Sequence, residues 1–133
     1  MLSSEDAYNF TDKDGKDREK ASHKEFYYQN KIKALERTYR YELCYKLCEE
    51  CFKKIENLHY KNEIWIESRK LYCKCMMDSQ YIDEYIKFAE EKNLWHIYAK
   101  VSEICFRYNK LEEASIYGCK SISVSYTHLT AAD

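Results

Sequence analysis

The chain has 133 residues, of which 34% are charged and 45% hydrophobic, with two glycines and no proline. So few turn-forming residues exclude a β-sandwich or β-barrel, and two glycines cannot build a glycine-rich phosphate-binding loop. The formal net charge of −1 excludes the basic surface that binds nucleic acid or an anionic membrane. We therefore expect one domain with no nucleic-acid partner and no membrane partner.

Residues 1–20 are predicted to form a flexible tail, because their few apolar residues follow no sustained period. The first residues also lack the basic and apolar regions of a secretory signal peptide. The seven cysteines are an odd number, and most of them lie within helical patterns, which indicates reduced thiols. The expected location is the cytoplasm.

From residue 21 to residue 123, apolar residues recur at steps of three and four, which predicts amphipathic helices. Short polar breaks separate these helices at 57–62, 78–80, 91–93 and 109–110. The stretch 22–56 has no comparable break and fits either one long helix or two helices that meet near 38–40, and we favour two. The prediction is an all-α fold of about three antiparallel helix pairs without strand pairing beyond residue 20.

The segment 98–122 contains two predicted helices joined by a turn at Asn109 and Lys110, and small residues, including Ser102 and Ala114, let the two backbones approach closely. The first helix has Tyr98, Val101, Ser102 and Cys105 at characteristic positions, and the second has Ala114, Gly118, Ser121 and Ile122. At these positions the segment resembles a tetratricopeptide repeat. The resemblance implies that the helix pairs stack into a short tetratricopeptide-like α-solenoid.

Two weaker copies of this repeat precede the segment 98–122. The nearer copy has Glu67 where the family has leucine, and the more distant copy has Lys31 there. The matching residues are Ile64, Ser68 and Leu71 in the nearer copy, and Tyr28, Ile32 and Leu35 in the other. The period in the mid-thirties is typical of helix-pair repeats.

In the tetratricopeptide family the first helix of each pair lines a concave binding surface. Two arginines on that surface would suit a carboxylate or an acidic segment, although the Lys and Asn pattern with which the family clamps a chain terminus is absent here. The resemblance implies a non-enzymatic scaffold or interaction module that binds a protein or peptide segment. Transferred to this chain, the concave surface consists of Asn62, Trp65, Arg69, His96, Glu103 and Arg107.

Two other functions stay open. In its pattern of helical repeats, the chain also resembles the sensor part of a bacterial transcriptional regulator or signalling protein. The spacing of Cys44, Cys48 and Cys51 also matches the iron–sulfur motif of radical S-adenosylmethionine enzymes. Because the same spacing places the three thiols on one helix face among apolar residues, we predict buried cysteines that bind no metal. No catalytic residue and no cofactor is predicted, and Cys73 and Cys75 are predicted to be one core and one surface cysteine.

The last residues, 124–133, resemble translated read-through of a sequencing adaptor, because Val124 to Leu129 are identical to one reading frame of a transposon-end adaptor. The native chain is therefore expected to run to about Ser123 and to be a solenoid truncated at its C-terminus. The final helix would then leave an apolar face uncovered, and we expect self-association through it. That face consists of Leu111, Ile116, Tyr117 and Ile122.

Overall fold

The computed structural model describes residues 8–11, 17–20 and 23–132, with side chains described for 23–127. From residue 23 onward the described chain is entirely helical, so the predicted all-α class is confirmed. The α-helices of this part are α1 (His23–Arg37), α2 (Tyr41–Lys54), α3 (Tyr60–Met77), α4 (Ile82–Lys92), α5 (Trp95–Arg107) and α6 (Leu111–Ala132).

Two short strands precede the helices. β1 (Tyr8–Thr11) and β2 (Asp17–Lys20) pair antiparallel, with Tyr8 opposite Lys20. Both strands lie in the segment for which a flexible tail is predicted, and residues 1–7 and 12–16 of that segment lie outside the described residues. The alternation of apolar and polar residues in β1 covers only four positions, too few for a strand period to be recognised.

The chain divides into two compact units, residues 1–73 and 74–133, and the boundary falls within α3. In the first unit Ile32, Cys48 and Ile66 are fully buried, and in the second unit Ile97 and Cys105 are fully buried.

Among the residues that the structure describes, no helix has both the length and the apolar character that crossing a membrane requires.

The stretch 22–56 forms two helices, as predicted, and they are joined by a turn at 38–40. The backbone N–H of Tyr39 donates to the carbonyl of Glu36, and that of Arg40 donates to the carbonyl of Leu35. Tyr39 has a φ of 60°. This combination is a Schellman motif, in which a left-handed residue closes the end of a helix and satisfies its last carbonyls.

α5 and α6 pack against each other through small side chains. The Ser102 hydroxyl donates to the carbonyl of Ala114 over 2.6 Å. A Cβ atom added to Gly118 would lie 3.2 Å from the Ser102 Oγ, which is tighter than an ordinary contact. The rings of Tyr98 and Tyr117 stack with their centroids 6.0 Å apart. The close approach expected from Ser102 and Ala114 is therefore confirmed.

Candidate binding groove

Three of the six predicted binding residues, Asn62, Trp65 and Arg69, lie on α3 and contact α1. The Asn62 side chain donates to the Glu25 carboxylate over 2.9 Å and accepts a hydrogen bond from Gln29. The Arg69 guanidinium lies 4.7 Å from the centre of the Trp65 ring, and its Nε is 2.9 Å from the Glu36 carboxylate. These three side chains therefore contribute to helix packing within the first unit.

Glu25 is a buried charged residue that the sequence pattern did not reveal. Its side chain is fully buried, and its Oε1 accepts hydrogen bonds from the His59 backbone N–H and from the Asn62 amide, each over 2.9 Å. These donors lie at the start of α3, where the helix dipole favours a negative charge. From the sequence alone Glu25 would be placed on a solvated helix face, like other charged residues. Its burial is not visible there because its hydrogen-bond partners are more than thirty residues away.

The other three predicted residues, His96, Glu103 and Arg107, share one side of α5 because of their helical spacing. Glu103 and Arg107 are exposed, and His96 is half-buried with its ring against the edge of the neighbouring Trp95 ring. The Glu103 carboxylate lies 3.6 Å from the Lys100 ammonium in an ion pair that is open to solvent.

An open groove of about 600 Å³ lies between α5 and α6. Glu103 is the only charged residue among those that line it, and small side chains form much of its floor. Two large apolar side chains also line the groove and remain exposed, Phe106 at 70% and Leu111 at 56%. The complete lining is Ala99, Ser102, Glu103, Phe106, Leu111, Ala114 and Ser115.

The groove thus brings Glu103 together with Phe106 and Leu111. Phe106 was not predicted as a binding residue. It follows the buried Cys105 in the sequence. The available signal was its step of three from Glu103, which places both residues on the same side of α5.

Cys44, Cys48 and Cys51 are fully buried on α2, which confirms their predicted burial. The Cys44 thiol donates to the carbonyl of Ile32 over 3.6 Å and is hydrogen-bonded to the thiols of Cys48 and Cys73. The hydrogen bond to Cys44, together with burial, raises the pKa of both Cys48 and Cys73. Burial raises the pKa of Cys51 to about 12. Cys48, Cys51 and Cys73 are therefore neutral thiols at neutral pH.

The iron–sulfur motif requires thiolates that wrap a cluster from a loop. Here the three cysteines lie on consecutive turns of a helix within the core. In the part of the chain that the structure describes, no group of three or more His, Cys, Asp or Glu side chains is arranged to hold a metal ion. The motif spacing is therefore explained by the packing of α2.

Cys73 and Cys75 are both fully buried, so the prediction of one surface cysteine in this pair is wrong. Residues two positions apart project from opposite sides of a helix, and each side is covered within its own unit. Cys73 is hydrogen-bonded to Cys44 in the first unit, and in the second unit the carbonyl of Cys75 accepts a hydrogen bond from the Tyr108 hydroxyl over 2.7 Å.

The final helix exposes apolar side chains, as predicted for Leu111, Ile116 and Ile122, which are 46% to 72% exposed. Tyr117 differs from this prediction because it is half-buried. Its ring stacks on Tyr98, and its hydroxyl donates to the Glu90 carboxylate over 3.0 Å. Self-association through this face stays a prediction.

No protein-family model, no curated protein and no solved structure matches this chain. Its function is therefore inferred from its own geometry.

Proposed function

We propose that the chain is a non-enzymatic helical-repeat module of the tetratricopeptide type, which binds a protein or peptide segment in the groove between α5 and α6. The observation that supports this proposal best is a helix hairpin that occurs twice with the same turn and the same register. We call α1–α2 the first hairpin and α5–α6 the last hairpin.

The two hairpins have matching turns. In the last hairpin the N–H groups of Asn109 and Lys110 donate to the carbonyls of Phe106 and Cys105. Each of these residues lies seventy positions after its counterpart in the turn of the first hairpin, and Asn109 has the same φ of 60° as Tyr39. The recurrence of a turn with the same hydrogen bonds and the same φ is what a chain of helix-pair repeats predicts.

The match extends into the helices. Tyr28 and Tyr98 lie seventy positions apart, and each is 3% exposed. One turn further along, the Cys44 thiol donates a hydrogen bond to the Ile32 carbonyl in the first hairpin. At the same level of the last hairpin, the Ser102 hydroxyl donates a hydrogen bond to the Ala114 carbonyl. Both hydrogen bonds run from a side chain of one helix to a backbone carbonyl of the other. This agreement supports a common origin for the two hairpins as repeats.

The groove supports a binding role for the last hairpin. Aromatic residues, phenylalanine among them, are enriched in protein interfaces, and Phe106 is an exposed aromatic residue of the groove. Glu103 supplies one charged group that can orient a bound segment. A folded protein gains no stability from leaving Phe106 and Leu111 in water, and contiguous exposed apolar surface often marks an interaction site.

Selection of peptides from a random library on the purified chain tests this proposal. The expected result is a set of peptides that share a motif and bind with micromolar affinity in a fluorescence anisotropy assay. The same selection on the urea-unfolded chain is the control. Peptides that bind the folded and unfolded chains equally, or no enrichment at all, would contradict the proposed function.

A further inference from the structure

The groove of the last hairpin has a counterpart on the first hairpin, and there a helix occupies it. Because the two hairpins share one register, each residue that lines the α5–α6 groove has an equivalent seventy positions earlier. These equivalents lie on α1 and α2, and six of the seven contact α3 within the first unit.

Three of the contacts involve α1. Gln29, the equivalent of Ala99, donates a hydrogen bond to Asn62. The Lys33 ammonium, at the position of Glu103, lies 5.7 Å from the centre of the Trp65 ring. Glu36, at the position of Phe106, forms the ion pair with Arg69.

The other three contacts involve α2. The Tyr41 ring, at the position of Leu111, lies 6.1 Å from the Tyr72 ring in an edge-on arrangement. Cys44, at the position of Ala114, is hydrogen-bonded to Cys73. The Tyr45 ring, at the position of Ser115, lies 5.8 Å from the Lys70 ammonium. The groove on this hairpin is therefore a site that accepts one face of an α-helix.

We propose that the α5–α6 groove is a docking site for an amphipathic helix of a partner protein, which presents a basic side chain to Glu103 and an apolar side chain to Phe106. This inference rests on the proposed function and specifies the bound segment. Its basis is the helix seated at the equivalent positions of the first hairpin, together with the charge of the groove.

The partner's chemistry follows from the two positions at which the grooves differ most. Trp65 of α3 meets the positive charge of Lys33, and the last hairpin has the negative Glu103 there, so the bound helix needs Arg or Lys at this point. Arg69 of α3 meets Glu36, and the last hairpin has Phe106 there, so the bound helix needs an apolar side chain.

The groove floor also differs in volume. Ala99, Ala114 and Ser115 are smaller than the residues Gln29, Cys44 and Tyr45 at the same positions of the first hairpin. Small residues let a helix backbone approach more closely or leave room for a bulkier side chain on it. The bound helix therefore packs its apolar face against this floor.

A peptide derived from α3 tests the proposal directly. The probe has the sequence of residues 60–74 with Trp65→Arg, Arg69→Leu and Cys73→Ala, and its affinity for the full chain is measured by fluorescence anisotropy. The matched control peptide carries only Cys73→Ala. The expected result is that the probe binds about tenfold more tightly than the control, because it complements both Glu103 and Phe106.

Variants of the chain locate the site. Phe106→Ser is expected to lower the affinity of the chain for the probe by about tenfold, and Glu103→Lys is expected to lower it by about fivefold. A second probe with glutamate in place of Trp65 should bind the Glu103→Lys chain better than the natural chain. The controls are Leu43→Ser and Glu42→Lys, which alter exposed residues on α2 of the same types and should leave the affinity unchanged. Circular dichroism melts verify that every variant is folded.

Equal affinities of the two peptides, or an affinity that Phe106→Ser leaves unchanged, would overturn this inference. A concentration-dependent dimer that becomes monomeric with Phe106→Ser would also overturn it, because the groove would then hold a second copy of the chain. If library-selected peptides bind and lose affinity with Phe106→Ser, but the two α3-derived peptides bind equally, the inference fails while the proposed function stands.

Discussion

The first hairpin and the last hairpin share a turn and a register but close the space between their helices with different side chains. The first hairpin uses Ile32, Cys44 and Cys48 at this contact, whereas the last hairpin uses Ser102, Ala114 and, at the position of Cys48, Gly118. The donor of the hydrogen bond between the two helices also differs: it is Cys44 on the second helix of the first hairpin, and Ser102 on the first helix of the last hairpin. The backbone turn therefore determines which residues face each other, and side-chain volume determines how closely the helices pack.

The hairpins also differ in what covers them. In the first hairpin α3 lies in the groove and is anchored at its start by the buried Glu25. At the equivalent position of the last hairpin stands Trp95, which is 46% exposed. The same backbone unit thus serves once as a packed core element and once as an open surface. The following predictions, from the largest expected effect to the smallest, test this contrast.

Replacement of Glu25 by leucine should cost about 3 kcal/mol of unfolding free energy, because the His59 N–H and the Asn62 amide would lose a charged acceptor inside the protein. Trp95→Leu, at the equivalent position, should change stability by less than about 0.5 kcal/mol. Urea denaturation monitored by circular dichroism measures both values. Equal losses for the two variants would show that the hairpins are anchored alike, contrary to this account.

Gly118→Val should destabilise the chain by about 2 kcal/mol, since a side chain at this position crowds the Ser102 hydroxyl and displaces it from its hydrogen bond to Ala114. Ser123→Val, on an exposed face of the same helix, serves as the control and should be nearly neutral. Urea denaturation again provides the measurement. A neutral Gly118→Val would mean that the contact between Gly118 and Ser102 does not constrain the packing of the last hairpin.

The raised pKa values of two tyrosines predict that the protein loses stability at high pH. Burial, with a hydrogen bond to Glu50, raises the pKa of Tyr28 from 10.0 to about 12, and burial with a hydrogen bond to Glu90 does the same for Tyr117. Folding therefore favours the neutral phenols, and their contribution is complete below pH 10 and is lost as the pH rises towards 12. The urea midpoint should fall over this range.

The two tyrosines should contribute alike, because their pKa values are raised by the same amount. Tyr28→Phe and Tyr117→Phe should each remove a similar part of the high-pH loss. Urea midpoints at pH 8 and pH 11 measure both effects, and the matched comparison cancels the titration of the lysines. A pH profile of Tyr28→Phe identical to that of the natural chain would refute the assignment.

The smallest predicted effect concerns the turns. Tyr39 and Asn109 both have a φ of 60°, a conformation that costs tyrosine more than asparagine. Tyr39→Gly should therefore stabilise the chain by about 0.5–1 kcal/mol, and Asn109→Gly by only a few tenths of a kcal/mol. Thermal unfolding at one pH compares the two. Destabilisation by Tyr39→Gly would show that the contact of its ring with Tyr41 outweighs the backbone strain.

Much of the helical pattern was predictable because it depends on local periodicity. The contact of Ser102 with Ala114 and the burial of Cys44, Cys48 and Cys51 follow from small or apolar residues at helical spacing. The role of Glu25 was not predictable, because its hydrogen-bond partners, His59 and Asn62, are far from it in the sequence. The burial of both Cys73 and Cys75 likewise depends on packing at two sides of α3.

The candidate site was predicted only in part, for a related reason. Helical spacing places Glu103 on an exposed side of α5, and this residue lines the groove. Trp65 and Arg69 have the same spacing on α3, but their side chains contact Lys33 and Glu36 of α1. Periodicity identifies residues on one face of a helix but does not reveal whether another helix covers that face.

The most direct test of groove binding is an NMR titration of the isotope-labelled chain with the α3-derived probe peptide. We predict that the largest amide shifts occur at Ala99, Ser102, Phe106, Ala114 and Ser115, while the equivalent residues of the first hairpin remain unchanged because α3 already occupies their groove. Shifts that are confined to the first hairpin, or spread evenly over both hairpins, would contradict the proposal that the α5–α6 groove accepts a helix.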